Sequence, residues 1–301
     1  MRVLVTGADG FIGSHVVPAL SFAEVVPFAG DVRSPRDWSR YRDIDVIVHL
    51  AARVGTGESM YRTAEYVDVN VLGTARMLEA CTAMGVRRIV LASSSAVYGG
   101  GILLREQELP VPSSTYGVSK LAQEHLVRTW APPHGIGWTA LRLFCVYGGG
   151  QSLANPYSGL VAMMAARLLA GRAPLLFEDG HQSRDLVHVS DVGRAFASAA
   201  QGALPGVVNI GTGIATTVLE LVGRLREDLG GPAPEMVGRH RAGDVRNAIA
   251  DVSRATSLGW RAEVPVREGL RSFCEWAVRQ DADPALQERA VAELIEQGLA
   301  R

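Results

Sequence analysis

The chain has 301 residues, is 48% hydrophobic and 20% charged, and carries a net charge of −1 at pH 7. This length suits one large α/β unit or two closely packed domains, and the charge gives no argument for binding nucleic acid or an anionic membrane. No apolar run approaches the ~18 residues of a membrane span, and Met1–Gly7 is predicted to be a strand entering a turn rather than a signal peptide. The three cysteines are widely spaced and form no metal pattern, which indicates a cytoplasmic protein without a structural metal.

Predicted elements alternate between short apolar strands and helices along the first half of the chain. Strands are predicted over residues 3–5, 24–28, 46–50, 88–93, 138–144 and 207–210, and helices over residues 12–20, 65–84 and 115–129. Continuous apolar strands separated by helices are typical of a parallel sheet covered on both faces. We therefore predict an α/β fold: a Rossmann-like doubly wound parallel sheet formed by residues 1–144 and about 191–213. A smaller C-terminal substrate-binding lobe is expected over about residues 145–190 and 214–301.

A glycine-rich turn joins the first predicted strand to the first helix. It reads Thr6-Gly7-Ala8-Asp9-Gly10-Phe11-Ile12-Gly13, with the spacing G-x-x-G-x-x-G. Glycines let the backbone turn tightly and approach a pyrophosphate, whose charge a helix N-terminus favours. In this strand–turn–helix context the motif predicts a dinucleotide site, although a βα turn that only needs small residues would have the same pattern.

The end of the second strand usually carries an acid that selects the cofactor by binding the ribose 2′-OH. Asp31 lies 24 residues after Gly7, but only 18 residues separate it from His49, too few for a further strand and helix. Asp31 is therefore either the ribose acid or an acid on the adenine side of a shortened third strand. The sequence favours NAD, but Arg33 could favour a 2′-phosphate and therefore leaves NADP open.

Lys120 is the only lysine of the chain, against 29 arginines, and Tyr116 precedes it by four residues. The two side chains therefore share one face of a predicted helix. An ammonium is a compact charge that can reach a phenol oxygen and a sugar hydroxyl together, which a planar guanidinium cannot do in the same geometry. We expect its charge to lower the pKa of Tyr116 from about 10 toward neutrality and make the phenol a general acid/base. The alternative is an accidental pair of surface neighbours.

Three serines, Ser93, Ser94 and Ser95, end the predicted strand that precedes this helix. In a parallel sheet the carboxyl ends of the strands line the ligand crevice. A hydroxyl there could hydrogen-bond the oxygen that gains or loses the proton. Without Tyr116 and Lys120, a polar strand end without chemistry would be the default interpretation.

Together these motifs resemble the extended short-chain dehydrogenase/reductases of the nucleotide-sugar epimerase/dehydratase group. His49-Leu50-Ala51-Ala52, Asn70 and Ser93-Ser94-Ser95-Ala96-Val97-Tyr98-Gly99 also carry the likeness. The resemblance implies that Tyr116 is the acid/base, that Lys120 binds the nicotinamide ribose and that Ser94 is the catalytic hydroxyl. It implies an NAD site formed by Gly7, Gly10, Phe11, Ile12, Gly13, Asp31, Arg33, Leu50, Ala51, Ala52, Asn70, Ser93, Tyr116 and Lys120.

Two segments of the second half resemble those with which this family holds the substrate. Asp179–Asp185 contains Arg184, and Arg241-Ala242-Gly243-Asp244 contains a second arginine for the same diphosphate and an aspartate for the nucleotide ribose. Arginine suits this role because its fork matches phosphate oxygens. The implied substrate contacts are Ser94, Ser95, Tyr116, Asn155, Arg184, Arg241 and Asp244. Residues 54–61, 155–159 and 177–182 more specifically resemble NDP-L-rhamnose 4-epimerases, which implies a 6-deoxyhexose linked to dTDP, UDP or GDP.

The chain departs from the family pattern at three places. Cys145 stands where the family commonly has an asparagine that contacts substrate phosphate, and the segment between the second strand and His49 is unusually short. Ser95 and Ala96 replace the Asp-Glu pair of the 4,6-dehydratases, which disfavours dehydration. The resemblance therefore favours a C4 epimerase that forms a transient 4-keto sugar, with an NAD(P)H-dependent 4-ketoreductase and a non-catalytic dinucleotide-sensing protein as alternatives. It also implies a homodimer formed through the helices near residues 65–84 and 115–130.

Overall fold

Strands and helices alternate through the first half of the chain, as its apolar pattern predicts. The computed structural model describes residues 1–154, 159–238, 243–281, 292 and 295–298. The strands are β1 (Arg2–Thr6), β2 (Glu24–Pro27), β3 (Val46–His49), β4 (Arg88–Ser94), β5 (Gly101–Leu104), β6 (Gly137–Leu143), β7 (Cys145–Tyr147), β8 (Leu175–Leu176), β9 (Ser183–His188), β10 (Gly206–Ile210), β11 (Ala215–Thr217), β12 (Glu235–Met236) and β13 (Asn247–Ala250). The α-helices are α1 (Gly13–Ala19), α2 (Pro35–Trp38), α3 (Thr56–Ser59), α4 (Thr63–Tyr66), α5 (Gly73–Met84), α6 (Thr115–Trp130), α7 (Leu160–Leu169), α8 (Val189–Ala200), α9 (Val218–Leu229), α10 (Ser253–Ser257) and α11 (Val266–Ala277). A π-helix covers Val67–Leu72, and 3₁₀ helices cover Ser95–Val97 and Pro132–His134.

A six-stranded parallel sheet in the order β10-β6-β4-β3-β1-β2 forms the centre of the first part. Its strands are apolar on both faces because helices cover both, α1 and α8 on one side and α5 and α6 on the other. Val3 and Val5 join the core beneath α1 and α8, whereas Leu4 between them joins the opposite core. The predicted Rossmann-like doubly wound sheet is confirmed, including the return of β10 to its edge.

The order of the strands reverses at β1, which has β2 on one side and β3 on the other. Connections leave such a point in opposite directions and open a crevice at the carboxyl ends of the strands. The glycine turn after β1 and the serines that end β4 lie at this edge of the sheet. The fold therefore brings both predicted motifs to the place where doubly wound proteins bind ligands.

The short segment between β2 and β3 contains one helix, α2, and no further strand. β2 is consequently the edge of the sheet, and its residues are half-buried or exposed. Ser34 caps α2 by accepting a hydrogen bond from Asp37 N. The expectation that this segment is too short for an additional strand is confirmed.

The predicted helix over residues 65–84 is divided into α4, a π-helix and α5. The π-helix contains the buried Asn70. Short π-helical turns inside α-helices are frequent at functional sites.

A second, mixed sheet in the order β11-β9-β13-β5, with β7 paired to β9, forms the other part of the molecule. Its apolar core is built with α7, α9 and α11. β5 comes from the first half of the chain but pairs with β13. The chain therefore passes from the main sheet into the second sheet at β5 and then returns to the main sheet. No helix in the described part of the chain is long and apolar enough to cross a membrane.

Candidate active site

A cleft of about 470 Å³ lies at the carboxyl ends of the main sheet and continues onto the second sheet. Ten of the predicted site residues line it: Phe11, Ile12, Leu50, Ser93, Ser94, Ser95, Tyr116, Lys120, Arg184 and Asp244. They come from the glycine turn, from the ends of β3 and β4, from α6 and from the second lobe. Residues that are distant in sequence are thus brought to one concave surface.

The first turn of α6 is pressed against the segment that follows β4. Ser114 caps the helix by accepting a hydrogen bond from Gly117 N at 3.1 Å. A side chain at Gly117 would place its Cβ 2.4 Å from the Ala96 carbonyl oxygen, so only glycine permits this approach. Tyr116 is held by its own N–H, which donates to Ser59 Oγ at 3.0 Å. This packing puts the Tyr116 phenol beside the Ser94 hydroxyl.

Burial raises the pKa of the Tyr116 phenol above its usual range, and a hydrogen bond with Ser94 acts in the opposite direction. The expectation that Lys120 lowers this pKa is therefore wrong for the protein chain by itself. The Lys120 ammonium lies 5.9 Å from the centre of the Tyr116 ring and donates to the Ala92 carbonyl oxygen at 2.9 Å. Its charge is too weakly coupled to the phenol to outweigh the loss of hydration.

Lys120 is 3% exposed, although lysine is almost never buried without a partner. Burial lowers the pKa of its ammonium to about 7, and the charge of Glu124, one helical turn on, opposes this effect. The amine can therefore change its protonation state near neutral pH. That property requires a lysine, since a guanidinium stays charged.

The three serines at the end of β4 have different surroundings. Ser94 Oγ accepts a hydrogen bond from Ala96 N at 3.2 Å, which fixes the hydroxyl at the cleft beside Tyr116. Ser93 is buried and donates its hydroxyl to Glu124. Ser95 begins the 3₁₀ helix and lines the cleft.

The glycine turn is tightly packed at Gly7 and Gly13. Gly7 has φ +67°, and a Cβ there would lie 3.0 Å from Ala51 N. A Cβ at Gly13 would lie 2.1 Å from the Gly7 carbonyl oxygen, so the helix can start this close to the turn only with glycine. Phe11 and Ile12 of this turn line the cleft, whereas Gly7, Gly10 and Gly13 are not among its lining residues.

Asp31 and Arg33 lie outside the residues that line the cleft. Both are exposed, and Arg33 donates from Nε and Nη2 to the Asp31 carboxylate and from Nη1 to Asp68 Oδ2 at 2.5 Å. The hydrogen bonds from Arg33 hold the pKa of Asp31 below its usual value. The guanidinium is thus shared by two carboxylates.

The loop after β3 is fixed by hydrogen bonds to its backbone. Thr6 Oγ1 accepts from Leu50 N and Ala51 N at 3.1 and 3.0 Å. Asn70 accepts from Arg53 N at 2.7 Å and donates to Ser119 Oγ at 2.9 Å. Asn70 therefore ties the loop that carries Ala51 and Ala52 to the helix of Lys120.

The second lobe contributes a cation and a carboxylate to the cleft. Arg184 on β9 is half-buried, and its Nη1 donates to the backbone oxygens of Ser183 and Arg246 at 2.9 and 3.1 Å. Asp244 lines the same cleft. Asn155 and Arg241 lie outside the described residues.

Cys145 lines the cleft near Arg184. Burial raises the pKa of its thiol to about 11, so the side chain is a neutral thiol at physiological pH. An asparagine amide can donate to a phosphate oxygen, whereas a thiol is a weak donor. The charge of the Arg184 guanidinium acts on this thiol, so Arg184 is a described cation close to this position.

Sequence reasoning missed two buried residues behind the site. Glu124 accepts a bidentate ion pair from Arg142 on β6, at 2.9 and 2.8 Å, and both side chains are nearly inaccessible to solvent. The available signal was the spacing of Glu124, four residues after Lys120, on the same helical face. No group of three or more histidine, cysteine or acidic residues in the described part of the chain could hold a metal ion.

Comparison with known proteins shows which family this chain belongs to. Residues 3–211 match the NAD dependent epimerase/dehydratase family. The chain belongs to that family. Its members depend on NAD.

Three relatives cover almost the whole chain. A dTDP-L-rhamnose 4-epimerase of Burkholderia thailandensis is 30% identical over 93% of this chain and 95% of its own length. MoeE5, solved in complex with UDP-glucose and NAD, is 39% identical with a TM-score of 0.85, over 93% of this chain and 99% of that one. UDP-glucose 4-epimerase of Thermotoga maritima, solved with UDP-glucose, is 31% identical with a TM-score of 0.87, over 92% and 98% of the two chains. All three are similar to the chain in sequence, and the two solved structures are also similar to it in fold.

Proposed function

We propose that this protein is an NAD-dependent nucleotide-sugar 4-epimerase, an isomerase that inverts C4 of a nucleotide-activated hexose through a transient 4-keto sugar. The observation that carries the proposal is one cleft in which Ser94, Tyr116 and Lys120 stand between the glycine turn and Arg184. The named 4-epimerases among the relatives favour this activity over the ketoreductase and non-catalytic alternatives.

In this proposal the proton of the sugar 4-hydroxyl is handled by Tyr116. As phenolate, Tyr116 accepts that proton, and as phenol it later returns it, while Ser94 Oγ hydrogen-bonds the same sugar oxygen as it becomes a carbonyl oxygen. The role of Lys120 is electrostatic, since an ammonium near the phenol stabilises the deprotonated form of Tyr116. The contact between Tyr116 and Ser94 supports these roles, because both groups must reach one oxygen.

Bound NAD would supply the hydride acceptor for C4 and the donor that restores hydride to the opposite face of the ring. We propose that Gly7, Gly10 and Gly13 accommodate its pyrophosphate and that Phe11, Ile12 and Leu50 to Ala52 border it. Asn70 and Ser93 would act by positioning the loops and the strand end around it. The engagement of Arg33 by Asp31 and Asp68 supports NAD over NADP, because this guanidinium is already paired with carboxylates.

The nucleotide end of the substrate is assigned to the second lobe. We propose that Arg184 and Arg241 bind the diphosphate, that Asp244 binds the nucleotide ribose, and that Ser95 and Asn155 contact the sugar. The division into a dinucleotide-binding part (residues 1–144 and about 191–213) and a nucleotide-sugar part (about 145–190 and 214–301) belongs to the same proposal. The lining of the cleft by both parts supports it.

The proposed substrate is a 6-deoxyhexose linked to dTDP, UDP or GDP. The likeness to a dTDP-L-rhamnose 4-epimerase favours a 6-deoxy sugar, and the solved relatives with UDP-glucose keep UDP-hexoses in the panel to be tested.

We also propose that the protein is a cytoplasmic homodimer. Exposed apolar residues on the π-helix and α6, Val67, Leu72 and Val118, support contact between copies through these helices. The cysteines Cys81, Cys145 and Cys274 are free thiols, which agrees with a reducing compartment. Light scattering after gel filtration would measure the assembly, and a monomeric mass would refute the dimer.

The function is tested by incubating the purified protein, without added cofactor, with dTDP-, UDP- and GDP-linked hexoses and 6-deoxyhexoses. We expect NMR to detect the C4 epimer of one of these sugars. In deuterated water the product should keep hydrogen at C4, because the hydride never exchanges with solvent. Formation of no epimer from any of these sugars would refute the proposal, and turnover only of a 4-keto sugar with added NAD(P)H would indicate a reductase.

The matched variant is Tyr116→Phe, which removes one oxygen and keeps the ring. We expect turnover to fall about 10²- to 10⁴-fold, the usual contribution of a general acid/base. Binding of the nucleotide sugar should change little, because Arg184 and the glycine turn are untouched. Unchanged turnover in this variant would show that another group transfers the proton.

A further inference from the structure

A buried ion pair lies directly behind the proposed catalytic lysine. Glu124 follows Lys120 by one turn of α6. Both residues, and Arg142 on β6, are only 3–4% exposed. Arg142 donates from Nε and Nη2 to the two carboxylate oxygens of Glu124, at 2.9 and 2.8 Å. Ser93, at the end of β4, donates its hydroxyl to the same carboxylate.

The position of this pair is fixed by the register of the main sheet. Ser93 on β4 is opposite Arg142 on β6, and Arg142 is opposite Asn209 on β10, so three polar residues form one row across the strands. The Arg142 guanidinium lies 4.6 Å from the centre of the Tyr98 ring. The Tyr98 hydroxyl in turn donates to Asn209 Oδ1 at 2.7 Å. The carboxylate is therefore held from the sheet side and cannot swing freely.

The charged and titratable groups that face Lys120 are few in the described part of the chain. On its own helix these are Tyr116 and Glu124, and from β3 it is His49. Burial lowers the pKa of His49 to about 3, with the charge of Lys120 as a further cause, so this imidazole is neutral. β4 offers the neutral Ala92 carbonyl oxygen. Glu124 is thus the carboxylate whose charge favours the protonated amine.

We propose that the Glu124–Arg142 pair is a positioning element that holds Lys120 in its ammonium form at the Ala92 carbonyl, in register with Tyr116. The catalytic part of this inference rests on the proposed function, whereas the effect on Lys120 does not.

The pair explains how a carboxylate can support the lysine without capturing it. An unpaired Glu124 would bind the ammonium directly and draw it away from the cleft. Arg142 hydrogen-bonds both carboxylate oxygens of Glu124, so the ammonium of Lys120 is not drawn to them. Lys120 therefore experiences the negative charge of Glu124 and still donates to Ala92 O. Arg142 without Glu124 would be a second buried cation near the lysine, which would favour the neutral amine.

The sequence makes a direct measurement possible, because Lys120 is the only lysine. Protein purified with its bound nucleotide and labelled with ¹³C at the lysine ε-carbon gives one NMR signal, whose shift with pH reports the titration midpoint of this amine. We expect Glu124→Gln to lower the midpoint by about one unit and Arg142→Met to raise it by about one unit, the lower range for the effect of a neighbouring charge. A purely structural role predicts no such opposition in sign.

A matched control is available in a second buried carboxylate. Asp191 is fully buried and pairs with Arg194 at 2.6 Å on α8, away from Lys120. We expect Asp191→Asn to affect stability without moving the lysine midpoint. Shifts of both single variants in the same direction, or no shift in either, would overturn the proposal.

Either single variant leaves an unpaired buried charge and can fail to fold. The double variant Glu124→Met with Arg142→Met replaces the pair by apolar groups, which folded proteins often tolerate. Because the two single shifts are expected to be equal and opposite, the midpoint of this double variant should stay within about one unit of the native midpoint, and a larger shift would overturn the proposal. If the native protein turns over a nucleotide sugar, the alkaline limb of its kcat/KM profile should move with the midpoint. If it has no such turnover, the proposed function fails, whereas the titration still decides the role of the pair.

Discussion

At the scale of single residues, the residue types at positions 116 and 120 predicted the chemistry, and burial decided the protonation states of the two side chains. The spacing of Tyr116 and Lys120 predicted a phenol and an amine on one helical face, and the structure has them there. The direction of the Tyr116 pKa could not be predicted, because the loss of hydration depends on how completely the fold covers the ring. The same burial lowers the pKa of Lys120 to about 7.

The first prediction concerns Lys120. Replacement by methionine keeps an unbranched apolar stem and removes a buried amine, so we expect the free energy of unfolding to rise by about 1 kcal/mol or more. Turnover should fall at least about 10²-fold, because the charge that supports the phenolate is lost. Lys120→Arg should lose similar activity and also stability, since the wide guanidinium must be buried beside Ala92 O. Urea unfolding and initial rates would measure both effects, and a fully active arginine variant would contradict the assigned role.

The second prediction concerns His49, which contacts Thr6 Oγ1 at 2.9 Å and Thr74 Oγ1 at 3.1 Å in the core. Its folded pKa of about 3 lies below the ordinary value of 6.5, so between these values the unfolded chain binds more protons. The contribution of His49 to stability is therefore complete above pH 6.5 and is lost as the pH falls toward 3. The loss should reach up to about 5 kcal/mol, since each unit of pKa difference corresponds to about 1.4 kcal/mol. In urea unfolding at several pH values, His49→Gln should have a smaller acid dependence, and an identical dependence would contradict this assignment.

At the scale of the elements, the start of α6 determines the geometry of the site. The helix begins against the segment after β4, with Ser114 as its cap and Gly117 at the contact. A helix at these residues was predictable from the sequence. Its distance from Ala96 was not, because that distance depends on the packing of two segments separated in the chain.

The third prediction follows from this contact. Gly117→Ala would place a Cβ 2.4 Å from the Ala96 carbonyl oxygen, so we expect a shift of α6 that separates Tyr116 from Ser94. Turnover should fall by about 10²-fold, the effect of a displacement of about 1 Å in a site. The matched control is Gly223→Ala on α9, where the added Cβ meets nothing within 4 Å. That variant should be stabilised by roughly 0.5–1 kcal/mol with unchanged turnover. Equal behaviour of the two variants would refute the steric argument.

At the scale of the whole molecule, one carboxylate joins the two sheets. Asp185 on β9 accepts from the Thr212 N–H and hydroxyl, both at 2.7 Å, and from Gly213 N at 2.8 Å. It also accepts from Ala250 N on β13 at 3.2 Å. Thr212 and Gly213 follow β10 of the main sheet, so Asp185 connects that sheet to the strand that carries Arg184.

The fourth prediction tests this connection. Asp185→Asn keeps the shape but places an amide N–H₂ against backbone N–H groups, so buried donors lose their acceptor. We expect a loss of about 2–3 kcal/mol in the free energy of unfolding. Affinity for the nucleotide sugar should weaken more than affinity for NAD, since Arg184 is adjacent and the glycine turn is not. Equal weakening of both ligands in calorimetric titrations would argue against a selective role in holding the second lobe.

The sequence by itself determined the doubly wound sheet, the glycine turn, the serine strand end and the pair Tyr116 and Lys120, because these depend on local periodicity and on chemistry that one residue type supplies. It also indicated that the segment after β2 is too short for another strand. Only the tertiary structure decided the depth of burial, and with it the raised pKa of Tyr116 and the lowered pKa of Lys120. It likewise brought Arg142 to Glu124 and Asp185 to Thr212, since pairs from different strands are set by sheet register and packing, which no spacing along the chain encodes.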